Sequence, residues 1–468
     1  MKKYQLAIAI GLAIFATNAA QADGHSAYAD FPITVKNYTG SKTNSVSYGG
    51  QVARHLLHTS LKKMSGSGNG APNEKLNAKL TSYFAGKAEG RVIVSPASKD
   101  GFPLKQVKID ELSKGKNLSG KAYKGSVPGW PGNMTGSEVL AFMLDKASST
   151  TKGYDPVLAY DYGQLFSKTA MGAVFYNQAV DNYLDELLAA NKKPNDKPYS
   201  EGAAYTGKEH VWDEAFGYFG APAHALSLDA KTLYSIAKGD PKVMKAADAN
   251  GDGKIDLKTE MTFGHAYYAA DADKSGKTQY MNDIVKAFID GRHLLADAKG
   301  QKLSGAQRGA LIEHAKTIKL NWEKVIAEAA FKYAGSVYKD LKKLQKTEDG
   351  VEVRKQFRNY AKHWGELKGF ALALQMGGKD LGGTAVQLNR LIGFSPVSFT
   401  GDQVTGVTAD GSYIVEKTVD MGEYMIQMAK AQNVLKGAFG LKVLKNEITD
   451  DMAVLSAKLG EKKSAEND

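Results

Sequence analysis

The 468-residue chain carries 61 lysines and arginines against 50 acids, a formal net charge of +11, and no cysteine. The missing cysteine excludes disulfides, thiolate metal sites, a lipid-anchored N-terminal cysteine and cysteine nucleophiles. Much of the basic excess sits in loops, with seven lysines against three acids over residues 99–124. It lacks the interleaved aromatics or single charged helix face of a nucleic-acid binder, so no nucleic-acid partner is expected.

In chain order, Lys2 and Lys3, the apolar run Leu6–Phe15 and the small-residue site Ala20-Gln21-Ala22 read as a signal peptide over residues 1–22. The apolar run is too short to span a membrane and no other long one follows, so no integral membrane segment is expected. The chain is expected to be exported, to the periplasm or the cell surface. Residues 23–136 read as an irregular Lys/Gly-rich segment with short helices at Tyr48–Met64 and Leu76–Phe84 and a lone strand at Val92–Val94. Residues 137–300 read as a first helical half. It holds helices at Ser137–Ala147 and Tyr160–Leu188, a helix through YTGKEHVWDEAFGYFG at Tyr205–Gly220, and a helix–loop series over 229–297. Residues 301–460 read as a second half. Ser304 caps a long helix, Gly305–Gln345, whose seam Leu311, Ala315, Ile318, Trp322, Val325, Ala329 and Tyr333 has bundle spacing. Helices at Val351–Met376, Val419–Val434 and Asp450–Leu459 follow, with an extended stretch at Ser412–Glu416 and a frayed tail at 461–468. The fold class is mostly α, a two-half helical bundle.

Two motifs carry chemistry. Asp248, Asn250, Asp252, Lys254 and Asp256 stand at positions 1, 3, 5, 7 and 9 of an EF-hand-like loop, Lys254 through its backbone carbonyl. Position 12 is Thr259, and the expected acid comes one residue later as Glu260. A poorer second loop reads Asp271, Asp273, Ser275 and Lys277, with its acid again one place late at Asp283. Hard oxygen donors at alternate positions point to calcium. The helix between the loops is expected over about Leu257–Ala270.

The second motif is repeated: Trp212, Glu214, Gly217 and Tyr218 match Trp364, Glu366, Gly369 and Phe370, with His210 and His363 just ahead of the tryptophans. His210, Asp213 and Glu214 share a helix face, as do His363 and Glu366. If the two helices face each other, their imidazoles and carboxylates form a bundle-core site for iron or zinc. The competing reading is packing, since tryptophan and glycine are what close helix contacts need.

The runs SYGGQVARHL at 47–56, KTAMGAVFYNQAVDNYL at 168–184 and EHVWDEAFGYFG at 209–220 resemble the domain of unknown function 4856 family. That family is similar to the imelysin-like helical proteins of the periplasm and outer membrane. The resemblance implies an imelysin-like bundle and a link to iron uptake, with an outer-membrane or uptake-system partner. Of the imelysin signature G-x-H-x-x-E, His210 matches the histidine and Asp213 the acid, while Lys208 replaces the glycine. The expected function is non-catalytic metal binding, stabilised by calcium. The alternatives are a metal-dependent hydrolase or peptidase using His210, Glu214, His363 and Glu366, and a calcium-rigidified binding or adhesion module.

Overall fold

A computed structural model describes residues 27–448 of the chain. The signal peptide expected over residues 1–22 and the helix expected at Asp450–Leu459 both lie outside the described residues. Thirteen α-helices dominate the rest: α1 Gly49–Ser65, α2 Glu74–Phe84, α3 Gly136–Ser149, α4 Tyr162–Ala170, α5 Gly207–Phe219, α6 Ala230–Ala237, α7 Met244–Ala247, α8 Gly264–Asp273, α9 Tyr280–Asp297, α10 Gly305–Leu344, α11 Gly350–Leu374, α12 Gly382–Ile392 and α13 Met421–Phe439. One hairpin, β1 Asp402–Val407 with β2 Tyr413–Lys417, pairs antiparallel with an irregularity between Val404 and Gly406.

Helix ends follow local chemistry. Thr206 caps α5 and Ser304 caps α10, each in a reciprocal box with Glu209 or Gln307 three residues on. Gly220 ends α5 in the left-handed region at φ +84°. All seven seam residues of α10 are buried, and the helix packs on α8, α9, α11 and α13. The expected helix Tyr160–Leu188 is α4 running into a π-helical stretch, Met171–Tyr183. There the ladder widens, and Leu184 N donates to Ala179 O five residues back.

The irregular segment over 86–135 is tied down rather than loose. Leu118 N donates to Phe84 O and Tyr123 N to Ala173 O. Arg91 donates to the carbonyls of Gly86 and Lys116, and Phe102, Ile109, Leu118 and Trp130 join the same apolar core as the bundle. The strand expected at Val92–Val94 is reduced to a single bridge between Val92 and Lys108.

Candidate functional site

The first loop is curled by local hydrogen bonds and glycine turns. Gly251 and Gly253, at φ +71° and +80°, supply the sharp turns. Asp248 Oδ2 accepts from Gly253 N at 2.8 Å, Asn250 Oδ1 from Asp252 N at 2.8 Å, and Asp252 Oδ1 from Lys254 N at 2.9 Å. That last bond is the main cause holding the Asp252 carboxyl below its ordinary range. These bonds curl the backbone around its own acids. The displaced acid closes the curl: Glu260 Oε1 accepts from Ala249 N and Asn250 N, and Oε2 from Asp256 N at 2.7 Å. Asp248 Oδ1 is buried with no hydrogen-bond partner among the described residues.

Ile255 anchors the loop from inside, and Lys105, which the sequence reading passed over, completes this picture. Ile255 is fully buried and bridges to the N-terminal segment, its N donating to Pro103 O and its O accepting from Lys105 N, both at 2.9 Å. The bridge delivers the Lys105 ammonium to 3.3 Å from Asp252 Oδ2 and 3.6 Å from Asp256 Oδ2. A cation is therefore already shared by two of the acids, and the Asp252 contact is the main cause raising the Lys105 ammonium above its usual range. Among the described residues, no three histidine or acidic side chains stand together as a ready metal cage. The Lys105 side chain is 45% exposed.

The second loop is not a loop at its start. Asp271 and Asp273 lie in the last turn of α8. Asp271 pairs with Lys274 and Lys332 at 2.8 Å and Lys445 at 3.5 Å. Burial would raise its carboxyl, but the lysines prevail and hold it at about 2. Asp273 accepts from Thr278 Oγ1, Tyr280 N and Met281 N, so it caps the start of α9. Ser275 Oγ accepts from Lys277 N in the turn, and Asp283 lies in the first turn of α9. These bonds occupy the side chains of Asp271, Asp273 and Ser275. The helix expected at Leu257–Ala270 begins only at Gly264, after a turn closed by Glu260 N on Asp256 O.

The tryptophan motifs pack as expected but do not face each other. Trp212 and Trp364 are fully buried. Trp212 Nε1 donates to Phe288 O on α9, and Trp364 Nε1 to the Tyr424 hydroxyl on α13. Gly217 lies against Tyr48 and Gln51 at the start of α1, and Gly369 against Lys168 and Thr169 on α4. His210 sits between the rings of Tyr199 and Tyr205, with Nε2 3.8 Å from Glu214. Burial is the main cause lowering its pKa, and Gln51 holds Glu214 at 2.7 Å. His363 instead bonds Asp340 at 2.6 Å. The two histidines have different surroundings, so the shared centre expected of His210, Asp213, Glu214, His363 and Glu366 does not form. Asp213 is committed elsewhere, accepting from Tyr28 OH at 2.7 Å, Ser47 N at 2.8 Å and Arg292 Nε at 2.9 Å.

Glu366 does line a cleft of about 680 Å³ where α1, α4, α8, α10 and α11 meet. Its polar wall includes His58, Lys62, Lys168 and Lys362, and its apolar wall Tyr267, Tyr268 and Tyr333. Burial is the main cause holding the Lys168 ammonium well below the ordinary lysine range, and the charge of Lys62 adds to it. No local motif announces this cleft, because its residues come from five helices.

The family model for the domain of unknown function (DUF4856) matches residues 152–381, from just before α4 to just before α12. The match takes in both tryptophan motifs and the Asp248–Asp256 loop, and leaves out the run at 47–56. No curated protein and no solved structure matches the chain.

Proposed function

We propose that this chain, a member of the domain of unknown function 4856 family, is an exported, calcium-stabilised helical protein that acts by binding rather than by catalysis. The observation that carries the calcium reading is the buried, unpartnered Oδ1 of Asp248, set in a loop curled by EF-hand-type hydrogen bonds. A carboxylate oxygen buried without a donor is costly, and a cation removes that cost. The ammonium of Lys105 against Asp252 and Asp256 supports the same reading, since the cluster already attracts positive charge. Export rests on the signal-type N-terminus. The two-half, imelysin-like arrangement is supported by the matched helix pairs, α1 with α5 and α4 with α11, each closed on the glycine of its tryptophan motif.

Calcium bound only to the folded state stabilises it by mass action, by about 2.7 kcal/mol at a hundredfold excess over the dissociation constant. Millimolar calcium is expected to raise Tm, and Asp248→Ala to abolish the rise. Lys105→Gln is expected to strengthen the calcium response, because the competing ammonium is gone. A Tm indifferent to calcium in both the parent protein and Lys105→Gln would refute this reading.

A further inference from the structure

The cleft beside Glu366 is charged in a way the fold does not need. Lys168 on α4 is buried, with its Nζ 5.4 Å from the Tyr268 ring centroid and 4.0 Å from Glu366 Oε1. Lys62 and Lys362 add further positive charges to the same wall, and both act on Lys168 through their charge. Five lysines line the cleft, of which Lys332 is paired with Asp271, while Glu366 is the one carboxylate among the lining residues, and the repulsion among the remaining ammonium groups is relieved by an anion.

The same wall also holds buried polar atoms without a hydrogen-bond partner among the described residues. His58 Nε2 lies 2.9 Å from the carbonyl of Ser167, an acceptor, so the ring proton is assigned to Nε2 and Nδ1 is a bare acceptor. His58 is 4% exposed, and Nδ1 has no partner among the described residues. Gln164 Oε1, another acceptor of this wall, is likewise buried and unpartnered, as is the hydroxyl of Thr262. Acidic groups answer the lysines, hydroxyl groups answer the acceptors, and the tyrosines offer flat apolar faces of the kind that small-molecule sites use.

We propose that this cleft binds a small hydroxylated organic anion, its carboxylate or phosphate set against Lys62, Lys168 and Lys362 and its hydroxyls donating to His58 and Gln164. The site is separate from the Asp248 loop, so it stands or falls independently of the calcium reading.

The test is titration calorimetry on the mature chain at low salt with three probes: glucose 6-phosphate, glucuronate and glucose. At least one of the two anions is expected to bind at millimolar concentration, more weakly as salt is added, and neutral glucose is not. Which anion binds tells phosphate from carboxylate. Lys62→Met and Lys362→Met lie at partly and fully exposed positions and are expected to fold with an unchanged or higher Tm, since each removes a repelling charge. Each is expected to weaken anion binding by about tenfold, the effect of losing one charge-assisted hydrogen bond. The proposal is overturned if neither anion binds, if glucose binds as well as they do, or if both variants bind like the parent.

Discussion

Arg292 on α9 is fully buried, and its guanidinium organises one end of the core. It reaches Asp213 at 2.9 Å and Glu209 at 3.0 Å, and it also bonds the hydroxyl of Ser45. The phenol of Tyr28 and the hydroxyl of Thr34 complete the acids' shells. Asp213 is thus a structural acid, although its place in EHVWDE reads equally well as a metal ligand. Nothing within that stretch distinguishes the two, because the deciding partner lies 79 residues further on. Breaking a buried ion network by removing one partner leaves uncompensated charge, at a cost of about 3–5 kcal/mol. Arg292→Met is therefore expected to lower unfolding free energy by that amount in urea titrations. A loss under about 1 kcal/mol, the range of exposed pairs, would show that the network contributes little.

At the scale of elements, the helices that were legible in the sequence are those with a sustained apolar seam, and α3, α5, α10 and α11 also carry a side-chain cap. α1, α3, α5, α10 and α11 fall within a few residues of their expected bounds. α12 opens on Gly382 and Gly383, poor helix formers, and is held by burial of Leu388 and Ile392, which sequence spacing alone does not reveal. Asp271 and Asp273 look like loop residues, yet tertiary lysines and the start of α9 draw them into helix. The repeated tryptophan motif was legible as a packing device. What it packs against was not, because the partners are α1 and α4 rather than each other. A Cβ built on Gly217 would lie 2.7 Å from Tyr48 Cβ and 2.8 Å from Gln51 Cβ, and one on Gly369 3.0 Å from Thr169 N. Both helix pairs would have to part. Gly217→Ala and Gly369→Ala are each expected to destabilise by about 1–3 kcal/mol, the usual cost of overpacking. Variants as stable as the parent in chemical denaturation would show that these contacts are slack.

At the scale of the whole molecule, three histidines lie buried where α1, α8 and the π-helical stretch meet. His55 Nε2 contacts Gly217 O at 3.1 Å, His58 Nε2 contacts Ser167 O, and His265 stacks edge-on to Tyr176 and Trp322 with neither nitrogen partnered among the described residues. Burial lowers His55 to about 4 and His58 to about 3, and puts His265 well below its ordinary value. The folded state therefore holds them neutral, while the unfolded chain takes up protons near pH 6.5. Unfolded chains then bind more protons than folded ones, so stability rises with pH across this window. The contribution is fully present above about pH 6.5 and is lost as pH falls toward 4 and below, at about 1.4 kcal/mol per pH unit for each histidine. Asp271, held at about 2, extends the same trend into stronger acid, since its stabilising charge is lost only as pH falls below the ordinary carboxylate range toward 2. His265→Phe fits an apolar surrounding and removes one of these protons without removing the ring. Unfolding free energies measured at pH 7.5, 6 and 5 are expected to fall more gently in this variant, by about one proton's slope below pH 6. An identical slope in parent and variant would mean that His265 is protonated in the folded core and that its charge is met there.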